Sequence, residues 1–166
     1  MKNIGNPFCS VIVLNYFGEK VIETTLNSLL SMSYPKNKYE IIIVDNNSKD
    51  NSKEILLKYA KDYTNIKLFF MKKNLGFSKG NNVGIEKSKG EFVALLNNDC
   101  VVEKKWLIEL VKTAKKDKNI FAVNSKILLY PKFINIRFSF NPKLLPVYTW
   151  LSKSNLYDLS NSKLFY

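Results

Sequence analysis

Short runs of β-branched and apolar residues, separated by stretches with helical periodicity, constrain the fold of this chain more than any other feature of its sequence. The apolar runs cover residues 10–14, 40–45, 66–71 and 91–96. The stretches with one apolar helical face cover residues 19–31, 50–63, 78–88 and 103–116. Continuous apolar runs are typical of strands buried on both faces, and strands alternating with helices indicate βαβ units. The sequence therefore predicts an α/β domain with a mostly parallel sheet flanked by helices, followed by a further extended segment at 120–130.

The composition fits one globular domain. The chain has 166 residues, of which 46% are hydrophobic and 24% charged, close to the averages for globular proteins. The N-terminal residues lack the apolar core and cleavage site of a secretory signal. No apolar run approaches the ~20 residues that a membrane helix needs. We therefore expect a cytoplasmic protein.

The residue types that are absent exclude several kinds of active site. The chain contains no histidine, which excludes Ser-His-Asp and Cys-His catalysis and every histidine-ligated metal site. Two cysteines are too few for a disulfide framework or a zinc site. Because Cys9 opens one predicted strand and Cys100 follows the end of another, we expect reduced thiols at opposite ends of the sheet.

The charge balance is strongly basic, with a net charge of +12. Such a balance favours anionic partners, although a lysine-rich solvated surface remains the alternative. Beyond Tyr130 the regular pattern is lost, and residues 131–166 form a basic, aromatic C-terminal segment of uncertain structure. Its aromatic residues either lie on an anionic membrane surface or pack on the sheet.

Polar residues follow three of the predicted strands at the points where the strands end. They are Asn15 and Tyr16, then residues 45–47, then residues 97–99. Ligands of open parallel sheets bind at the carboxyl ends of the strands, so these separate stretches predict one site. The Asp45 carboxylate is suited to a ribose hydroxyl or a base N–H, or else it anchors the turn that follows.

Residues 97–99, Asn-Asn-Asp, supply oxygen ligands of the kind that Mg²⁺ and Mn²⁺ prefer. Because this segment has one carboxylate, a diphosphate would have to complete the coordination of the metal ion. The alternative is that residues 97–99 form an ordinary polar turn. Gly76, Gly80 and Gly84 lie near one predicted helix start, where close backbone approach and anion binding are favoured. The glycine patterns of dinucleotide dehydrogenases and P-loop NTPases are absent.

Taken in order, these segments resemble inverting family 2 glycosyltransferases, and the similarity is greatest to the rhamnosyltransferase-like members. The segments that carry the resemblance are residues 10–16, 43–48, 74–77, 80–82 and 96–99. The resemblance covers residues 8–130. It implies a GT-A fold, a nucleotide-diphosphate-sugar donor, a divalent cation (Mg²⁺ or Mn²⁺) and transfer of the sugar to a hydroxyl of a glycan or lipid-linked acceptor.

The resemblance also implies roles for individual residues. Tyr16 would lie beside the base, and Asp45 would bind the base or ribose. Residues 97–99 stand where the family has its Asp-x-Asp motif; Asn97 replaces the first acid, which leaves Asp99 as the main metal ligand. The remaining implied nucleotide-sugar-binding residues are Asn15, Asn47, Gly76, Phe77, Gly80, Asn81, Asn97 and Asn98.

The sequence departs from the family where the catalytic base is expected. Family members carry that base in the second half of the domain, often in a Glu-Asp pair, and it deprotonates the acceptor hydroxyl. After Tyr130 the only acid is Asp158, so the catalytic residue stays unknown and the C-terminal part of the fold is expected to be incomplete. The alternatives are a truncated, non-catalytic nucleotide-sugar-binding protein and, less favoured because no nucleic-acid-binding motif occurs, a nucleic-acid-binding protein.

Overall fold

A computed structural model describes residues 5–127 and places four strands and four α-helices in strict alternation. The elements are β1 (Cys9–Asn15), α1 (Ile22–Leu30), β2 (Tyr39–Asp45), α2 (Ser52–Asp62), β3 (Ile66–Phe70), α3 (Phe77–Lys87), β4 (Phe92–Asn97) and α4 (Trp106–Ala114). A single 3-10 turn, Lys36–Lys38, precedes β2. The chain divides into two compact units, Met1–Lys116 and Asp117–Tyr166, and all of these elements belong to the first.

The strands form one parallel sheet in the order β3-β2-β1-β4. Strand β1 pairs with β2 from Cys9 opposite Tyr39 to Asn15 opposite Asp45, and it pairs with β4 up to Leu14 opposite Asn97. Every residue of β1 and β2 is buried, which explains why these two strands are apolar without alternation. The parallel α/β architecture predicted from the sequence is confirmed.

Helices cover both faces of the sheet. On one face, Val11 and Val13 of β1 belong to a core cluster that also contains residues of α1, α2 and α4. On the other face, Ile12 and Leu14 pack with Ile42 and Val44. Burial of these side chains contributes on the order of 1.5–3 kcal/mol each, which makes β1 and β2 the rigid base from which the loops at the carboxyl end project.

Helix α3 lies against β1 so closely that two of its residues must be glycine. A Cβ atom at Gly80 would lie 2.5 Å from Leu14 Cδ1, and one at Gly84 would lie 2.4 Å from Ile12 Cγ2. Both separations are far inside van der Waals contact. These glycines therefore allow helix–strand packing, which accounts for their place in a helix that they would otherwise weaken.

An ion pair with a buried carboxylate lies at the amino end of the sheet. Glu40, which is 2% exposed, forms a salt bridge with Lys67 of the neighbouring strand. Its Oε1 atom accepts hydrogen bonds from the Ser10 hydroxyl at 2.7 Å and the Lys89 N–H at 2.9 Å. The Ser10 hydroxyl oxygen accepts the Gly90 N–H at 2.8 Å. This network joins β1, β2, β3 and the segment before β4 at the end opposite the candidate site.

Some sequence expectations differ from the structure in detail. The expected extended segment 120–130 forms no strand over its described part, 120–127, and its last residues lie outside the described range. Extended backbone becomes a strand only when a neighbouring strand pairs with it, and residue patterns do not reveal that partner. Helix α2 begins at Ser52, after an Asn51 whose side chain makes no capping bond, while Asp50 accepts the Ser52 N–H at 3.2 Å.

Cys9 and Cys100 are free cysteines. They lie where the sequence predicts them, Cys9 at the start of β1 and Cys100 after the end of β4. Among residues 5–127, no helix combines the length and the hydropathy needed to cross a bilayer. The C-terminal segment 131–166 and the acid Asp158 lie outside the described residues.

Candidate functional site

The three polar clusters that follow β1, β2 and β4 meet at the carboxyl end of the sheet. Asn15 lies between the other two clusters because β1 is flanked by β2 and β4. Its Nδ2 atom donates to Asp45 Oδ2 at 2.8 Å, and its Oδ1 atom accepts from Asn98 Nδ2 at 2.9 Å. We call this hydrogen-bonded chain, Asn98–Asn15–Asp45, the polar junction. It brings together residues separated by 30 and 83 positions in sequence.

Asp45 is 4% exposed, and the protein satisfies much of its hydrogen-bonding capacity. Its Oδ1 atom accepts the Ser48 N–H at 3.0 Å, and its Oδ2 atom accepts the Ser48 hydroxyl at 2.6 Å in addition to Asn15. The carboxylate thus anchors the β2–α2 turn, which is one of the two roles considered from the sequence. An ionised carboxylate has about four acceptor positions, so these three contacts leave capacity for one further donor.

The β1–α1 loop presents two aromatic rings beside the polar junction. Tyr16 is 46% exposed and Phe17 is 52% exposed, and their rings meet edge to face with centroids 4.6 Å apart. Phe17 has a φ of 51°, in the left-handed region that costs a residue with a side chain about 1–2 kcal/mol. Its N–H donates to the Ser48 hydroxyl oxygen at 3.0 Å.

Gly18 follows directly and lies over the polar junction. A Cβ atom at this position would lie 2.0 Å from Asn15 Oδ1 and 2.7 Å from Asn98 Nδ2. Its N–H donates to the Ser52 hydroxyl oxygen at 3.0 Å, and its carbonyl oxygen accepts the Ile22 N–H at 2.8 Å at the start of α1. Gly18 therefore fixes the entry into α1 while leaving room for the junction beneath it.

Reciprocal hydrogen bonds tie the β1–α1 loop to the β2–α2 loop. The Glu19 N–H donates to Asp50 Oδ2 at 3.0 Å, and the Asn51 N–H donates to Glu19 Oε2 at 2.9 Å. Partial burial by itself would raise the pKa of Asp50, but hydrogen bonds from Ser52 and the Glu19 N–H outweigh it and lower that pKa. The two loops thus form one structural unit at neutral pH.

Asn46 connects the end of β2 to the loop before α3. It is 2% exposed; its Nδ2 atom donates to Asn74 Oδ1 at 2.8 Å, and its Oδ1 atom accepts the Leu75 N–H at 2.8 Å. Gly76 follows with a φ of 78°, a value that favours glycine. This connection places the N-terminus of α3 at the same end of the sheet as the polar junction.

The other predicted residues of this segment have different surroundings. Phe77, the first residue of α3, is 64% exposed. Asn81 is 5% exposed and donates to the Phe77 carbonyl oxygen at 3.0 Å. Asn47 adopts a φ of 66° and accepts a hydrogen bond from Lys49 Nζ at 2.9 Å. Gly80 faces Leu14, so the contact that the structure shows for it is packing on β1.

The segment after β4 keeps its acid accessible. Asn97 and Asp99 are exposed, whereas Asn98 is half-buried and held by Asn15. The Thr25 hydroxyl donates to the Asn98 carbonyl oxygen at 2.6 Å, which fixes the turn against α1. Burial and the neighbouring Asp99 carboxylate raise the pKa of the Cys100 thiol.

Asp99 is suited to hold a metal ion that the phosphates of a bound molecule would also coordinate. Within residues 5–127 no group of three or more cysteine, aspartate or glutamate side chains is placed to hold an ion alone. Mg²⁺ and Mn²⁺ are commonly held by one or two carboxylates together with substrate phosphates. An exposed carboxylate next to a fixed amide turn fits that arrangement and does not fit a metal site built from protein ligands alone.

Several residues of this end of the sheet were not among the sequence-predicted site residues. They are Phe17, Gly18, Asn46, Ser48 and Asn74, and each connects one loop to another. Asn46 was recognised only as part of a polar cluster, because its partner Asn74 is 28 positions away. Nothing in the sequence indicates the positive φ of Phe17 or the close approach over Gly18, since both depend on how the loops pack.

Comparisons with known proteins give matches in both sequence and structure. Residues 10–152 match the family model described as Glycosyl transferase family 2. The chain is 38% identical over 107 residues to glycosyltransferase AglE of Haloferax volcanii, covering 64% of this chain and 35% of that protein. It is 30% identical over 160 residues to poly(ribitol-phosphate) β-N-acetylglucosaminyltransferase TarS of Staphylococcus aureus, covering 94% of this chain and 27% of that protein.

Solved structures show the same fold. Residues 1–349 of S. aureus TarS in complex with UDP-GlcNAc match with a TM-score of 0.62 at 28% identity, covering 74% of this chain and 38% of that one. The mannosyltransferase PcManGT of Pyrobaculum calidifontis, in complex with GDP-Man and Mn²⁺, matches with a TM-score of 0.65 at 23% identity, covering 68% of this chain and 34% of that one. The Rossmann-like sheet of the GT-A type is thereby confirmed, and the chain spans about a third of the length of these proteins.

Proposed function

The chain belongs to glycosyl transferase family 2, and we propose that it forms the donor-binding part of a metal-assisted, inverting glycosyltransferase. The polar junction carries this proposal, because it gathers an amide, a carboxylate and a second amide at the carboxyl end of three parallel strands. That position is where open α/β sheets bind nucleotides. The named relatives are transferases, so a non-catalytic nucleotide-sugar-binding protein is not favoured.

The nucleoside is proposed to lie across the ends of β1 and β2. The exposed ring of Tyr16 offers a face for stacking on the base, and such stacking is worth ~1–3 kcal/mol per base. The remaining acceptor position of Asp45 is available to a ribose hydroxyl or a base N–H, while Ser48 holds the carboxylate in place. Asn47 and Asn15 complete this side of the proposed donor site.

The diphosphate and sugar are proposed to lie between the start of α3 and the end of β4. Gly76 directly precedes α3, and Phe77, Gly80 and Asn81 lie in its first turns. The N-terminal N–H groups of a helix favour anions. Asp99, with Asn97 and Asn98 beside it, would hold Mg²⁺ or Mn²⁺ together with the diphosphate. When bound, the cation would neutralise the charge that develops on the leaving nucleotide diphosphate.

The acceptor is proposed to be a hydroxyl group of a glycan or a lipid-linked molecule. Its oxygen would attack the donor sugar carbon that carries the nucleotide diphosphate, displacing the diphosphate with inversion at that carbon. The names of relatives point to different acceptors, since one is a poly(ribitol-phosphate) β-N-acetylglucosaminyltransferase and another a cholesterol galactosyltransferase. Inversion requires a base that removes the acceptor proton in the same step. Peripheral association with an anionic membrane surface, through the basic residues of 131–166, stays a prediction.

A thermal-shift titration tests the donor site directly. We expect one of UDP, dTDP and GDP to raise the melting temperature in the presence of Mn²⁺ and to do so less without it. A ligand that binds only the folded state at a hundredfold excess over its Kd stabilises that state by about 2.7 kcal/mol. Asp99→Ala should abolish the effect of Mn²⁺, and Asp45→Ala should abolish the shift itself.

Asp62→Ala provides the matched control. Asp62 is an exposed acid at the end of α2, so its removal changes the net charge by the same amount without touching the site. This variant should keep the full metal-dependent shift. If no nucleotide shifts the melting of the folded wild-type chain, or if Asp62→Ala and Asp99→Ala behave alike, the proposed donor site is wrong.

A further inference from the structure

The identity of residue 17 is not explained by the backbone that it occupies. Phe17 has a φ of 51°, which Asn and Gly adopt more readily than a bulky residue. The contact that fixes this turn is the Phe17 N–H to the Ser48 hydroxyl oxygen at 3.0 Å, and any non-proline residue would provide that N–H. A phenylalanine is therefore an unfavourable choice for the turn unless its ring has a separate role.

Burial does not supply that role. The ring is 52% exposed, so it contributes little to the hydrophobic core. The ring contact that the structure shows for Phe17 is with Tyr16, edge to face, at a centroid distance of 4.6 Å and an interplanar angle of 89°. Aromatic pairs favour this arrangement beyond the area that they bury.

Resting on the proposed function, we infer that Phe17 is a positioning residue that holds the Tyr16 ring in place to stack on the nucleobase of the donor. Tyr16 is 46% exposed, and an exposed side chain that is immobilised on binding lowers the affinity through lost rotamer freedom. Contact with Phe17 orders the ring before the ligand arrives. An edge-to-face contact occupies at most one face of the Tyr16 ring, so Phe17 itself leaves the other face available to a flat base.

The backbone around the two rings strengthens this inference. The Phe17 N–H and the Asp45 carboxylate both bind Ser48, so the aromatic pair and the proposed ribose ligand share one anchor. Gly18, immediately after the pair, is held by its N–H to the Ser52 hydroxyl oxygen and by its carbonyl oxygen to the Ile22 N–H. The left-handed turn at Phe17 therefore orients the two rings on a hydrogen-bonded loop. The free-energy cost of this turn is offset by tighter binding of the nucleotide.

The test is a double-mutant cycle measured by calorimetry on the full chain, with the tightest-binding of UDP, dTDP and GDP and with Mn²⁺. Phe17→Asn should weaken nucleotide binding by about three- to tenfold, the range expected for one immobilised side chain. Its melting temperature should be equal to or higher than that of the wild type, because Asn tolerates the left-handed region. Phe17→Tyr keeps the ring edge and should retain wild-type affinity.

Two further measurements separate positioning from a general structural effect. Inorganic pyrophosphate with Mn²⁺ lacks a base, so Phe17→Asn should leave its affinity unchanged. In a Tyr16→Ala background, Phe17→Asn should cause no additional loss of nucleotide affinity. An equal loss in both backgrounds, or equal weakening of pyrophosphate, would overturn the inference while the donor site stands. A wild-type chain that binds no nucleotide would overturn the inference and the proposed function together.

Discussion

Replacing Gly18 by alanine is expected to weaken nucleotide binding by at least about tenfold and to destabilise the fold. The added Cβ would lie 2.0 Å from Asn15 Oδ1 and 2.7 Å from Asn98 Nδ2, so the two amides have to separate. Asn15 would then lose its bond from Asn98 and its alignment with Asp45. Each lost hydrogen bond to a buried or charged group costs about 1–3 kcal/mol, so we expect a free energy of unfolding lower by about 2–4 kcal/mol.

The measurement combines chemical denaturation with nucleotide titration, and the chain offers a matched control. Gly5 has no heavy atom within 4 Å of its Cβ position, so Gly5→Ala should change neither quantity beyond about 0.5 kcal/mol. Comparing the two alanines separates the effect of the contact from the general effect of replacing glycine. Wild-type nucleotide affinity in a folded Gly18→Ala protein would show that the polar junction is not part of the donor site.

Removal of the Glu40 carboxylate is expected to cause the second large effect, at the opposite end of the sheet. Glu40→Ala removes the ion-pair partner of Lys67 and the acceptor of the Ser10 hydroxyl. The Lys89 N–H loses its bond to Glu40 but keeps a second one to the Ser10 hydroxyl oxygen at 3.1 Å. Removing one member of a buried ion pair costs about 3–5 kcal/mol. We expect the lower end, about 3 kcal/mol, because the Lys67 side chain is 38% exposed and can be solvated. Equilibrium denaturation in urea measures the change.

The same network predicts how stability depends on pH. Burial by itself would raise the pKa of Glu40, but hydrogen bonds from Lys67, Ser10 and the Lys89 N–H outweigh it and lower that pKa below the ordinary glutamate value. The folded state then binds fewer protons than the unfolded state. The stabilisation is therefore complete above the ordinary glutamate pKa and is lost as the pH falls through the lowered value. Glu40→Gln should reduce this acid dependence.

Glu109 is the control for both experiments on Glu40. Its salt bridge with Lys112 spans 3.7 Å between side chains that are 58% and 69% exposed, and exposed pairs contribute about 0.2–1 kcal/mol. Glu109→Ala should therefore change the free energy of unfolding by less than 1 kcal/mol. Equal losses for Glu40→Ala and Glu109→Ala would contradict a stabilising role for the buried network.

The sequence could predict the fold and part of the site because both follow from local patterns. The apolar runs of β1 and β2 indicate strands buried on both faces, and parallel strands place their carboxyl ends together. Asn15, Asp45 and Asn98 could therefore be assigned to one site before their contacts were known. The strand order β3-β2-β1-β4, which places Asn15 between the other two, depends on pairing that no single run encodes.

Other features depend on packing between distant segments and could not be inferred from the sequence. The packing of Gly80 on Leu14 depends on how closely helix α3 approaches strand β1, which no residue pattern reveals, while the role of Gly80 in the donor site stays a prediction. Asn46 contacts Asn74 only because the loops after β2 and β3 converge. The sequence allows Asp45 either to anchor a turn or to bind a ligand. The structure shows the anchoring contacts, and the carboxylate keeps one acceptor position for a further donor.

The central place of β1 also determines the order in which the chain can assemble. Contact between Asn15 and Asp45 closes a loop of 30 positions, whereas contact between Asn98 and Asn15 closes one of 83. The entropy of loop closure grows with the logarithm of loop length, so the longer loop costs about 0.9 kcal/mol more. Folding that starts with β1 and β2 therefore completes the Asn98 contact late. A nascent chain would therefore bring Asn15 and Asp45 together, at the proposed ribose-binding part of the site, before Asp99 reaches its place. Pairing of β4 with β1 would be the step that completes the proposed donor site.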